Sequence, residues 1–200
     1  YQILLSNSID PILAATSIAF GFVFIHPFED GNGRIHRYLI HHLLAKKNFA
    51  QQGIVFPVSA SILDQIANYR QTLEAYSHPL LEWIAWKETK DHNIEVINQT
   101  IDYYRYFVAT TQAEFLYSCV EDTIQNIIPA EISYLAKYDR FKSYLDYNFE
   151  IPDRLASLLI RFLEQNDGIF SKRAIENEFK FFREEELTEI EKQFNTIMRN

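Results

Sequence analysis

Cysteine is nearly missing from this chain. Cys119 is the only one in 200 residues, which rules out an internal disulfide framework and points to a reducing, cytoplasmic setting. Cys119 sits in the apolar run FLYSCV, where a thiol is expected to pack rather than react. Glycine and proline are also scarce, five and six residues, beside 16 Phe and 12 Tyr. So few chain-breakers and so many aromatics favour long helices with aromatic packing. No apolar run is long enough for a bilayer: the longest, Ile12 to Ile25, covers 14 residues, and about 20 are needed. No basic stretch precedes it, so it is not read as a signal peptide. It is expected instead to be a central, fully buried helix, since apolar residues occupy nearly all its faces.

Positive charge is in deficit too. The net charge of −8 argues against general affinity for nucleic acid or anionic membranes. The deficit is uneven. Residues 1–50 hold four basic against three acidic side chains, residues 51–149 seven against thirteen, and residues 150–200 eight against eleven. Only the first segment suits an anionic ligand.

Hydrophobic residues make up 48% of the chain, enough for one domain or a core with an appendage. Asp10-Pro11 is a helix start, with Asp as cap and Pro in the first turn, and the helix runs to about Ile25. His26–Gly33 must be a loop, and a second helix is expected from Arg34 to about Phe49. Gln51–Gly53 is a break. Ser59 or Ser61 caps a helix through Tyr76 that Ser77-His78-Pro79 ends. Leu80–Trp86 reads as a short helix and Asp91–Gln99 as a connector, with Glu95–Ile97 the one hint of a strand. A long helical pattern covers Thr100 to Asn126 and resumes after Pro129 through Asn148. Three helices close the chain, Pro152–Gln165, Ser171–Phe179 and Glu184–Ile197, with a turn at Asn166-Asp167-Gly168. The fold class is therefore all-α, with a core over residues 1–99 and a helical C-terminal region over 100–200. Residues 152–180 have a helix-turn-helix look, but their acidity favours packing or self-association, such as a homodimer, over DNA binding.

Everything chemically specific lies in His26-Pro27-Phe28-Glu29-Asp30-Gly31-Asn32-Gly33-Arg34-Ile35-His36-Arg37. Gly31 and Gly33 let backbone N–H groups approach a phosphate without interference from Cβ. The helix start that follows adds unpaired N–H groups and a positive dipole end. Asn32 can donate its side-chain amide to the same oxygens. Arg34 and Arg37 share one face of the first turn, where cations are unfavourable unless a multiply charged anion arrives, such as a triphosphate tail. Asp30 is a hard oxygen donor suited to Mg²⁺ bridging phosphates. His26 opens the loop and offers an imidazole, the side chain best suited to general-base work near neutrality. Glu29 is expected to face solvent. His36, His41 and His42 are expected to be packing or surface residues, because their spacing is poor for zinc and no cysteine lies close by.

These residues are similar to the signature of the Fic family, His-Pro-Phe-x-(Asp or Glu)-Gly-Asn-Gly-Arg-x-x-Arg, and match it at every fixed position. The resemblance implies an all-α core with the loop between two helices. It implies AMP transfer from ATP to a Ser, Thr or Tyr hydroxyl of a target protein, with Mg²⁺ as cofactor. His26 would be the general base and Phe28 a buried anchor for the loop. Asp30 would hold Mg²⁺. Gly31, Asn32 and Gly33 would form the anion hole, while Arg34 grips the triphosphate tail and Arg37 contacts the γ-phosphate. Related Doc kinases carry Lys-Arg in place of Gly33-Arg34, so the intact pair favours nucleotidyl transfer. Tyr69 falls where family members often line the adenine pocket. The inhibitory pattern (Ser/Thr)-x-x-x-Glu-(Gly/Asn) has no match; Ser171 to Asn177 is one residue too long, and Ser171 is read as an ordinary cap. Only nine residues precede the first motif helix, where the family's target-docking hairpin normally lies. The chain, which begins at Tyr1, is thus expected to be the C-terminal portion of a longer protein. A reading from another class is a nucleotide-sensing regulatory or DNA-associated module without transferase output.

Overall fold

In the computed structural model, residues 8–50 and 55–199 are described. The expected break at Gln51–Gly53 lies outside them. The chain forms two compact units, the first ending at Ile128 and the second beginning at Pro129.

The first unit is built on α1 (Pro11–Ile25) and α2 (Asn32–Lys46), which pack along one another. Asp10 starts α1 as the sequence suggests: its carboxylate accepts from Ile12 N at 2.8 Å and Leu13 N at 3.1 Å. Ala15 and Ala19 let the helices approach closely, while Phe20 and Val23 meet Ile40, Leu43 and Leu44 in the core. Full burial of α1 does not hold, because Leu13 and Ile25 are open to solvent. The second motif helix begins two residues earlier than expected. Gly31 occupies the left-handed region at φ 87° and serves as the cap, which brings Asn32 and Gly33 into the first turn.

The expected single helix through Tyr76 is two, α3 (Val58–Asp64) and α4 (Ile66–Leu80), with Pro79 in the last turn of α4. The expected helix over 80–86 is one 3₁₀ turn at Leu81–Trp83, followed by a hairpin of β1 (Trp86–Glu88) and β2 (Ile94–Val96) in antiparallel register, Lys87 opposite Glu95. The pattern expected from Thr100 to Asn126 divides into α5 (Ile101–Arg105), a non-helical stretch over 106–109 that opens on extended Tyr106, and α6 (Thr110–Asp122). Aromatic and β-branched residues in that stretch favour extended backbone. The chain winds on through a π-helical stretch at Thr123–Ile127.

Helix α6 belongs to the first core. Phe115, Leu116, Cys119 and Val120 are buried in it, Ser61 donates to Asp122 Oδ2 at 2.6 Å, and Gln112 Nε2 donates to Thr72 O at 3.0 Å. The compact division therefore falls after residue 128, and residues 100–128 pack with the motif helices. Burial pushes the Cys119 thiol up to about 11, so it stays protonated as a packing residue.

The second unit comprises α7 (Ile128–Phe149), α8 (Asp153–Gln165), α9 (Lys172–Asn177) and α10 (Glu184–Met198). Phe141, Leu145, Leu159, Leu163, Phe179, Ile190 and Phe194 form its own core. The Asn166–Gly168 turn is present, with Gly168 at φ 80° and its N–H donating to Leu163 O at 2.7 Å to close α8. Ser171 caps α9, its hydroxyl accepting from Ala174 N at 3.2 Å. Helices dominate both units, so the all-α class is the observed one. No helix among the described residues is long and apolar enough to cross a membrane.

Candidate active site

Helix α1 ends on His26. Its N–H donates to Phe22 O at 3.2 Å, and its backbone turns left-handed at φ 50°, ψ 56°. For an L-residue that conformation costs about 1–2 kcal/mol, least for His, Asn and Asp. The turn ends the helix and sends the chain into the loop. The His26 side chain is exposed and forms one wall of a cavity of about 230 Å³.

The loop is closed by Asn32. Its Nδ2 donates to Phe28 O at 2.5 Å and its Oδ1 accepts from Phe28 N at 3.2 Å, with the residue only 2% exposed. This corrects two expectations. Phe28 is not a buried anchor: it is 53% exposed and its ring meets Phe22 at 6.2 Å. The anchoring falls to Asn32, because a buried amide with both ends bonded holds the loop better than a ring on its rim. The Asn32 side chain is thereby committed to backbone, so what it can offer an anion is its main-chain N–H. Sequence reasoning missed this, since motif spacing does not show which way an amide turns.

Beyond Gly31 no side chain caps α2, and the first intrahelical bond is Ile35 N to Gly31 O at 2.9 Å. The N–H groups of Asn32, Gly33 and Arg34 are the unpaired donors that such a terminus leaves. A Cβ on Gly31 would come within 3.6 Å of Arg34 Nη2, and one on Gly33 within 3.6 Å of Arg37 Nη1, so both guanidiniums lie over the glycines. Arg34 Nη2 donates to Asp30 Oδ2 at 2.8 Å, while Asp30 Oδ1 accepts from Gly31 N at 2.6 Å. That ion pair is open to solvent and worth under about 1 kcal/mol, so an arriving polyanion can draw Arg34 away cheaply.

Asp30 is the motif's candidate metal ligand. Among the described residues no three His, Cys, Asp or Glu side chains converge into a cation site. One exposed carboxylate at the lip of an anion nest fits a cation that takes most of its oxygens from bound phosphates, as Mg²⁺ commonly does. Glu29 is exposed, as expected.

The remaining motif histidine is structural. His36 is fully buried, its Nδ1 donates to Ala19 O at 2.8 Å, and its ring stands edge-on to Phe20 at 4.7 Å. Burial is the main reason its pKa falls to about 4, with Arg37 adding to the effect, so the ring is neutral. His41 Nε2 bonds to Ser59 Oγ, and His42 stacks on Tyr38 at 5.9 Å. Tyr69 lies in the core, 7% exposed, its ring near His36 and Phe115. Burial raises its hydroxyl pKa to about 12. In this conformation it faces packing, not a nucleotide cleft.

No curated protein and no solved structure matches the chain. A family profile does: residues 2–44 match the Fic/DOC family, a span under a quarter of the chain that takes in α1, the loop and nearly all of α2. The signature read in the sequence, the helix–loop–helix that carries it and this match coincide on one segment, so residues 2–44 are similar to the Fic/DOC family.

Proposed function

We propose that this loop is the catalytic centre of a transferase that moves AMP from ATP to a hydroxyl of a target protein. The observation that carries the reading is an exposed imidazole on a left-handed turn, followed within one short loop by an uncapped helix start with two glycines and two guanidiniums over it. The match of residues 2–44 to the Fic/DOC family supports transferase chemistry in general. Family signature and local chemistry support the finer statement.

In this reading the N–H groups of Asn32, Gly33 and Arg34 receive non-bridging phosphate oxygens, and the dipole of α2 favours their charge. Arg34 leaves Asp30 for the polyphosphate, and Arg37 holds its far end. Asp30 would hold Mg²⁺, which would supply neutralisation of phosphate charge. The target oxygen forms a bond to the α-phosphorus and the bond from that phosphorus to the β-bridging oxygen breaks, so pyrophosphate leaves. The hydroxyl proton goes to the His26 imidazole. Intact Gly33-Arg34 favours nucleotidyl over phosphoryl transfer. Target protein, self-association and a cytoplasmic location belong to this proposal too.

Incubating the full chain with α-labelled ATP, Mg²⁺ and lysate proteins tests it. The label should appear on protein and fall about 10²- to 10⁴-fold in His26→Ala, the usual contribution of a general base, while ATP still binds. Undiminished labelling by His26→Ala would sink the reading, and unchanged biological output of that variant would favour a nucleotide sensor.

A further inference from the structure

The cavity beside His26 is lined, among the described residues, by Phe24, Leu73, Tyr76, Ser77 and Tyr104 as well as His26. Its rings stand at different inclinations: Phe24 and Tyr76 are 4.3 Å apart at 39°, and Tyr76 and Tyr104 are 6.5 Å apart at 74°. Together they give the cavity a largely aromatic wall, against which a flat aromatic guest can pack.

Two of the wall's three hydroxyl protons are spent. Tyr76 Oη donates to Tyr103 O at 2.7 Å, and Ser77 Oγ donates to Leu73 O at 3.1 Å. A nucleobase entering here would bring several ring nitrogens and an amino group to a mostly hydrocarbon wall with two of its three hydroxyls already engaged, and each unmet buried group is penalised. A phenol brings a hydrocarbon ring and one polar atom. That single atom is the one a base on the wall would need to meet. A serine or threonine side chain would leave most of about 230 Å³ unfilled.

We infer that this cavity receives the acceptor side chain and that the acceptor is tyrosine. The inference rests on the proposed transfer reaction and names its substrate class. The ring packs among Phe24, Leu73, Tyr76 and Tyr104 with its oxygen toward His26. A phenol, with an ordinary pKa near about 10, is also far more readily deprotonated by an imidazole than an aliphatic alcohol is. The phenolic oxygen forms the bond to the α-phosphorus of ATP, pyrophosphate departs, and the phenolic proton passes to His26.

Two measurements on the full chain test this separately. The first is binding without transfer, with N-acetyl-tyrosinamide and N-acetyl-serinamide titrated into labelled protein and followed by NMR. The tyrosine amide should shift Leu73, Ser77 and Tyr104 resonances and the serine amide should not. Ser77→Phe, placed on an exposed helix position so that it fills the mouth without touching the core, should weaken the tyrosine amide about 10- to 100-fold, the worth of burying one aromatic ring. ATP affinity by calorimetry should stay the same in that variant. No shifts at those residues, or equal loss of ATP affinity in Ser77→Phe, would overturn the inference; the second result would make the cavity a base slot. The second measurement compares AMP transfer to peptides differing only in Tyr, Ser or Thr. Tyrosine should lead by about tenfold or more, and equal rates would overturn the selectivity while leaving the reaction intact. Tyrosine-amide binding with transfer to no acceptor would instead keep the cavity's assignment and remove the reaction.

Discussion

Gly33 separates a folding role from a ligand role. It lies in the first turn of α2, outside the left-handed region that Gly31 needs, and a Cβ there would make only an ordinary contact with Arg37 Nη1. Nothing in the protein's own packing calls for glycine, and a helical glycine costs about 0.5–1 kcal/mol relative to alanine. Gly33→Ala should therefore stabilise the chain by about that amount in urea unfolding. The same methyl would stand where a phosphate must come close, so ATP affinity by calorimetry should fall about tenfold or more. A variant that is destabilised yet binds ATP normally would place the role of Gly33 in the fold. His26 shows the same separation from the other side, since its left-handed backbone would suit Gly or Asn better. That strain sits where an imidazole is needed.

At the scale of elements, the pairing of α1 with α2 includes the buried His36–Ala19 bond. Its neutral ring gives that pairing a pH dependence of known sign. The folded pKa is about 4 against 6.5 for the free side chain, so the unfolded chain binds the extra proton between those values. The contribution is fully present above pH 6.5 and is lost as pH falls toward 4, with a slope of up to about 1.4 kcal/mol per pH unit. Urea melts at pH 7.5, 6 and 5 should show the loss, and His36→Phe should flatten it. An equally steep profile in that variant would assign the dependence elsewhere. Much of this pairing was readable in the sequence: the Asp10-Pro11 start, the loop and the all-α class rest on local chemistry that needs no tertiary knowledge. The β1–β2 hairpin was not, because strands of three exposed residues show too little alternation to stand out from a helical pattern. Nor was the short α5, where a non-helical stretch over 106–109 interrupts an otherwise helical run. Burial of Tyr69 and His36 was hidden as well, since it depends on which helix faces which.

At the scale of the whole molecule, two hydrophobic cores that share no residue stabilise one chain. The second depends on one narrow point. A Cβ on Gly168 would lie 2.2 Å from Asn195 Oδ1, and Asn195 donates to both Gly168 O at 2.9 Å and Glu191 O at 2.8 Å. Gly168→Ala meets that clash and a left-handed backbone together, so a loss of about 2–3 kcal/mol is expected. Hydrogen exchange should then speed up at Ile190 and Phe194, and unchanged protection there would refute the expected clash. The molecule's lifetime has a weak point of its own in the Asn32-Gly33 dipeptide, because asparagine before glycine is the sequence most prone to spontaneous deamidation. While the amide is fastened to Phe28 from both ends, its carbonyl is held from attack by the next backbone nitrogen. Each unfolding event frees it, and the aspartate that results would turn an acceptor toward Phe28 O and set a negative charge inside the anion nest. Storage at mildly alkaline pH and warm temperature should thus inactivate this protein at a rate set by how often the loop opens.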